Sequence, residues 1–268
     1  MITKPARVAL QLQPEHASYR KIRDCVAEAE DLGVDVIFNW DHFFPLSGDP
    51  DGMHFECWTM LAAWAESTSN VEFGPLVSCN GYRNPELLAD MARTVDHISD
   101  GRLILGVGAG WCERDFVEYG YEFPPDGKRL DDLAQALPRI ESRMSRMNPA
   151  PTRKIPVLIG GEGEKKTLPL VARHADIWHS FADPDTIERK LAVLRGHCTA
   201  IGRDIAEIEV STGVWGGPSH VGDPDVLGPR LRKLGVSLFT VGIGGPDYDL
   251  GILRKWIDWR DRDRAGQG

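Results

Sequence analysis

Short apolar runs alternate with longer amphipathic stretches from one end of the chain to the other. The runs at 6–12, 34–38, 71–78, 102–107, 155–159, 176–180, 208–214 and 238–243 are rich in Val, Ile, Leu and Ala. They read as strands buried on both faces, as a parallel sheet requires. Between them, apolar residues fall at three- and four-residue steps. In 18–32 these are Ile22, Val26, Ala29 and Leu32; in 85–99 they are Leu88, Met91, Val95 and Ile98. That spacing lays one apolar stripe along a helix. Pro85 suits a first helical turn, and Gly33 and Gly101 follow the two helices as stops. Eight strands with a helix after each predict a (β/α)8 TIM barrel forming a single domain over residues 1–268. A doubly wound open sheet is the alternative. It is disfavoured because no glycine-rich turn follows the first strand, where a dinucleotide fingerprint would sit.

In a barrel the chemistry belongs at the C-terminal ends of the strands. Two of those ends carry glycine turns: Gly106-Val107-Gly108-Ala109-Gly110-Trp111 after the fourth strand, and Gly160-Gly161-Glu162-Gly163 after the fifth. Without Cβ atoms the backbone can approach a flat or anionic group. The helix start that follows adds free N–H groups. The pair points to a phosphate-bearing cofactor, although such glycines also serve as plain turn-formers. Trp111 can stack on a ring, and Glu113 reads as a first-turn helix charge. Lys165 and Lys166 either add charge for an anion or form a solvated face.

Composition narrows the classes. A net charge of −9 argues against a general nucleic-acid binder. No apolar run is long enough to span a membrane, and the first residues lack a signal peptide's apolar stretch, so a cytoplasmic protein is expected. The five cysteines are scattered without a CxxC pair, against a disulfide framework or a thiolate zinc site. No metal is expected, since Gln11-Leu12-Gln13 stands where a metal-dependent barrel hydrolase would carry His-x-His.

The second strand ends in Asn39-Trp40-Asp41-His42-Phe43-Phe44. A histidine there can exchange a proton near neutral pH, and Asp41 can orient a neighbour or hold a cofactor's polar edge. Adjacent strand residues face opposite sides, so a structural role for one of the two stays open. The third strand leaves through Ser78-Cys79-Asn80-Gly81-Tyr82, a composition that fits a bulge, with Cys79 read as a packed thiol. His97, His174 and His197 read as cap or surface residues, and His179 as facing the barrel mouth. Loops at 45–56 and 216–225 would shape substrate selectivity.

Several segments then line up in order and spacing. They are Asp35-Val36-Ile37-Phe38 with Asp41-His42-Phe43, Tyr82-Arg83-Asn84-Pro85-Glu86-Leu87-Leu88-Ala89, and Thr94-Val95-Asp96-His97-Ile98-Ser99-Asp100-Gly101-Arg102-Leu103. Leu105-Gly106-Val107-Gly108-Ala109-Gly110-Trp111 follows, then Pro156-Val157-Leu158-Ile159-Gly160-Gly161 leading to Ala175-Asp176-Ile177-Trp178. Together they resemble the luciferase-like monooxygenase superfamily, specifically its coenzyme F420-dependent oxidoreductase branch. The resemblance implies a barrel whose strand ends hold F420, with FMN as the alternative. Hydride would pass between the deazaflavin C5 and a small organic substrate, and His42 would be the catalytic base. Cofactor contacts would fall on Asp41, Ser78, Cys79, Gly108, Gly110, Trp111, Gly160, Gly161 and Gly163. A non-prolyl cis peptide within 77–80 would back the ring. A homodimer is also implied. Two other readings stay open: an FMN-dependent monooxygenase using oxygen, and a cofactor-binding barrel without catalysis.

Two departures stand out. The sugar-phosphate dehydrogenases of this branch carry a tryptophan where this chain has Leu46 and a glutamate where it has Trp111, which argues against a sugar-phosphate substrate. The insertion between the fourth helix and fifth strand is shortened to Asn148-Pro149-Ala150-Pro151-Thr152-Arg153-Lys154. In the branch this segment helps cover the cofactor, so a more open site is expected.

Overall fold

Nine parallel strand segments alternate with nine α-helices in the described residues, 4–214 and 222–266 of a computed structural model. Most of the loop expected at 216–225 lies outside the described residues. The strands are β1 (Arg7–Leu12), β2 (Val36–Asn39), β3 (Glu72–Pro75), β4 (Ser78–Cys79), β5 (Leu105–Gly108), β6 (Val157–Gly160), β7 (Ile177–Ser180), β8 (Glu209–Gly213) and β9 (Val236–Ile243). The helices are α1 (Tyr19–Asp31), α2 (Cys57–Ser67), α3 (Pro85–Ile98), α4 (Glu113–Glu118), α5 (Asp126–Met144), α6 (Thr167–His174), α7 (Pro184–Ala200), α8 (Pro224–Leu234) and α9 (Gly251–Ala265). Among the described residues no helix is long and apolar enough to cross a membrane.

The sheet runs β3-β2-β1-β9-β8-β7-β6-β5-β4. Its two ends are consecutive pieces of one stave, β3 pairing with β2 and β4 with β5. Across the seam the Phe73 N–H donates to the Arg102 carbonyl at 3.1 Å, and the Ile104 N–H to the Phe73 carbonyl at 2.8 Å. Eight staves therefore close into the expected (β/α)8 barrel. The third stave, expected to be continuous over 71–78, breaks at Leu76–Val77, whose peptide is cis. The cis bond expected within 77–80 is thus corrected: it falls one peptide earlier, where the strand breaks between β3 and β4. Beyond it, Val77 packs on the luminal cluster.

Burial on both faces explains the unbroken apolar runs. Ala9, Val36, Phe38, Leu76, Ile104, Leu158, Ile177 and Leu238 fill the lumen, and a larger cluster joins the outer strand faces to the helices. Each large side chain so buried contributes about 1.5–3 kcal/mol. Ser18 caps α1 by accepting from the Lys21 N–H, and Asn84 caps α3 by accepting from Glu86 and Leu87 at 2.9 and 3.2 Å. Such caps contribute about 1 kcal/mol each. Ile22, Val26 and Ala29 of the predicted stripe are buried on α1, and Leu88 and Val95 on α3.

The shortened crossing enters β6 at its N-terminal end, on the side of the barrel away from the mouth. There the Asp96 carboxylate of α3 accepts from the Thr152 N–H (2.7 Å) and hydroxyl (2.8 Å), and His97 Nε2 meets the Ala150 carbonyl at 2.7 Å. The expectation that its shortness opens the site is therefore corrected: the segment is pinned to the opposite end.

Candidate active site

A cavity of about 680 Å³ opens at the C-terminal ends of the staves. β1 supplies Gln11 to its wall, and the end of β2 supplies Trp40, Asp41 and His42. The broken stave supplies Leu76, Val77 and Cys79. The turn after β5 brings Gly108 to Trp111, and the turn after β6 brings Gly160, Gly161 and Gly163. α5 adds Arg129, Leu130 and Leu133. The structure thus brings together the expected site residues, except Ser78. The Ser78 side chain is fully buried away from the cavity and accepts a 2.7 Å hydrogen bond from Trp58 Nε1 on α2. Strand alternation sends Ser78 and Cys79 to opposite faces, so direct contact with a cofactor through the Ser78 side chain is corrected.

His42 is the best-organised chemical group on the wall. Its Nδ1 lies 2.6 Å from Asp115 Oδ2. Asp115 is itself fully buried, and its carboxylate also accepts from the Phe43 N–H (2.9 Å) and the Tyr82 hydroxyl (3.1 Å). The imidazole itself lines the cavity. Burial alone would lower the pKa of His42, but the hydrogen bonds to Asp115 and to the neighbouring Cys112 outweigh it and raise it to about 9. Burial opposes the charge on Asp115 as well, yet the His42 bond and the Phe43 amide hold its pKa below the usual carboxylate value. Nearby His54 goes the other way. Burial, then the charge on His42, push it down to about 4, and its Nε2 accepts from Trp40 Nε1 at 2.9 Å.

Asp41 sits on the wall with its carboxylate already committed. Arg83 clamps it through two nitrogens, one at 2.9 Å, and the Cys79 N–H donates to it at 2.9 Å. These bonds tie the end of β2 to the start of β4. Cys79 is buried, and burial pushes its thiol up to about 12, which suits the packed thiol over a nucleophile.

The glycine turns prove tighter than sequence implied. A Cβ on Gly108 would lie 2.6 Å from Val77 Cγ2, and one on Gly110, at φ +79°, would strike Cys79 Sγ. These glycines are needed by the protein's own packing as well as by any ligand. The Gly161 N–H is spent on the His179 carbonyl at 3.0 Å. Lys166 reaches Asp131 and the Gly127 carbonyl at 2.6 and 2.9 Å, tying α6 to α5. His179, expected at the mouth, is instead fully buried, with Nδ1 at 2.8 Å from the Ser211 hydroxyl; burial lowers its pKa to about 3. Inward-facing strand positions below the rim are enclosed by their neighbours.

Sequence reading missed Asp115, Tyr82, Arg129 and Gln11 as parts of the site. Asp115 sits one turn into a short helix and looks like one more acidic residue of that turn. Only folding places it against His42, 73 positions away. Arg129 bonds the Gly110 carbonyl at 3.0 Å and lies over the Phe123 ring, so it fixes the glycine turn from α5. Gln11 is 3 % exposed, and its Oε1 has no partner.

The profile of the luciferase-like monooxygenase family matches residues 1–223. The chain belongs to this family. Among its curated relatives, an uncharacterised Mycobacterium bovis protein is 28% identical over 183 residues, covering 60% of this chain and 64% of that one. The F420-dependent glucose-6-phosphate dehydrogenase of Amycolatopsis mediterranei is 27% identical over 188 residues, covering 63% and 54%. The matches thus span about half to two-thirds of those relatives' lengths. Among solved structures, an F420-dependent secondary alcohol dehydrogenase in complex with an F420-acetone adduct superposes with TM-score 0.80 at 18% identity, over 96% of this chain and 99% of that one. The FMN complex of the oxygenating constituent of 3,6-diketocamphane monooxygenase from Pseudomonas putida gives 0.73 at 15% identity, over 100% and 99%. Both likenesses establish the luciferase-like barrel.

Proposed function

We propose that the protein is an F420-dependent oxidoreductase that moves a hydride between the deazaflavin and a small organic substrate, with His42 exchanging the accompanying proton. The observation that carries this reading is the His42–Asp115 pair on the cavity wall, with Nδ1 held by the buried carboxylate. The residues present fit such a cofactor. Gln11 offers a buried, unpartnered amide oxygen to a ring N–H, and Cys79, Gly108, Gly110, Gly160, Gly161 and Gly163 line the space beside it. Trp111 lines the same space. Asp41 contributes by fixing Cys79. When bound, the deazaflavin supplies the two-electron hydride chemistry.

The chain's own contribution is the proton. With a pKa of about 9, His42 is an imidazolium at neutral pH, so it serves first as a general acid to a substrate oxygen or nitrogen. The base role implied by the resemblance is the same group acting in the oxidative direction. Asp115 fixes the ring orientation, and Tyr82 and the Phe43 amide fix Asp115.

Relatives that use F420 support this reading, and the FMN-bound neighbour makes an oxygen-dependent monooxygenase the competing one. Equilibrium titration of the purified protein with F420 and with FMN, read by fluorescence, tests it, followed by hydride transfer to alcohols, imines and enones. Tight binding of reduced FMN with substrate-dependent oxygen uptake overturns the assignment. F420 binding with no transfer to any of the panel leaves a non-catalytic cofactor barrel. A cytoplasmic homodimer belongs to the same proposal, and analytical ultracentrifugation tests its oligomeric part.

A further inference from the structure

We infer, building on the proposed function, that the substrate is an uncharged planar carbonyl compound, aromatic or conjugated, that lies on Trp111 with its oxygen toward His42. Trp111 lines the cavity yet is 64% exposed. An indole left that open at a cavity edge is unfinished apolar surface, the kind a ligand covers. Its ring centre is 5.5 Å from that of His42, the two planes at 68°, so the open indole borders the proton-exchanging group directly. Trp40 also approaches His42, at 6.0 Å, but it is buried and its N–H is spent on His54.

The surroundings extend the apolar rim. Leu46 and Phe181 line the same cavity and are both exposed. Two cations near it are already occupied: Arg129 with the Gly110 carbonyl and Asp126, and Lys166 with Asp131 and the Gly127 carbonyl. A ligand without charge suits such a wall. A flat ring can stack on the indole, and a carbonyl attached directly to that ring stays in its plane. It is thereby carried toward the edge where His42 stands. This changes the expected role of Trp111 from cofactor contact to substrate platform.

The test compares acetophenone with cyclohexyl methyl ketone, which has the same carbonyl and similar size but a puckered ring. Each is titrated into the purified protein without cofactor. The readout is the Trp111 indole N–H signal in a two-dimensional NMR spectrum, assigned by its loss in Trp111→Phe. Acetophenone is expected to shift that signal and to bind about fivefold or more tightly than the puckered ketone, a preference within the range of an aromatic pair. Trp111→Phe should retain most of that preference and Trp111→Leu should abolish it. Equal affinity for the two ketones overturns the inference, as does an unshifted Trp111 signal. So does loss of F420 affinity in Trp111→Leu, which would return Trp111 to the cofactor. Failure of wild-type protein to bind F420 would instead sink the proposed function, and the ketone titration would still read separately.

Discussion

The two walls of the barrel mouth are built on opposite principles. On the β2 side the wall is made of side chains that hold one another: His42 by Asp115, Asp115 by Tyr82 and the Phe43 amide, Asp41 by Arg83 and Cys79. On the β5 and β6 side it is made of missing side chains, where Gly108 makes room for Val77 and Gly110 for Cys79. The first wall is set by electrostatics in a buried place, where an unpaired charge would be costly. The second is set by steric fit. Changes at His42 and at Gly108 should therefore fail in different ways.

The sharpest way to break the comparison is at His42. His42→Ala is expected to lower the rate of hydride transfer by about 10²–10⁴, while F420 affinity stays within about threefold. Stopped-flow absorbance and equilibrium titration on one preparation measure both. Equal loss of binding and rate would mean that the two walls are not separate.

Asp115→Asn tests whether the charged wall acts through its network. Without the carboxylate the His42 pKa should fall from about 9 toward or below its ordinary value. At pH 7.5 the acid-dependent rate should drop by about tenfold, and the basic limb of the pH–rate profile should move to lower pH. A profile that keeps its midpoint would remove Asp115 from any part in proton exchange.

Gly108→Ala tests the steric wall. The added methyl meets Val77, so a stability loss of about 1–3 kcal/mol and weaker cofactor binding are expected, with proton chemistry untouched. Combining it with Val77→Ala should recover part of that stability, because the two sites share one space. Chemical denaturation of the four proteins of the cycle measures the coupling. Additive losses would show that Val77 is not the obstacle.

The smallest effect is the dependence of stability on pH. The folded-state pKa of His42 is raised, so its contribution is fully present below its ordinary value near 6.5 and is lost as pH rises through about 9. Wild type should therefore lose on the order of 1–3 kcal/mol more than His42→Ala between pH 6.5 and 9.5. Calorimetry on both proteins checks the sign, and parallel curves would contradict it.

Much of the architecture was legible in advance. The continuous apolar runs marked strands enclosed on both faces, and the three-and-four spacing marked the helices, because burial demands those periods wherever the elements end up. His42 and the glycine turns were legible because strand ends of a barrel converge on one mouth. Asp115 was not, since a carboxylate in a first helical turn has an ordinary explanation and its partner is 73 positions away. Ser78 was misplaced because the broken third stave hid which residue faces inward. The length of the crossing at 148–154 does not by itself say at which end of the barrel that segment lies.

The sequence by itself determined the barrel, the strand ends that carry chemistry and the histidine among them, since these follow from local periodicity and from how parallel staves must close. Only the tertiary structure decided what His42 is. Its charge depends on a buried carboxylate brought from another stave's helix, and the room beside Gly108 depends on where Val77 lands after the break. Both are distances between residues remote in the chain, and no local pattern encodes them.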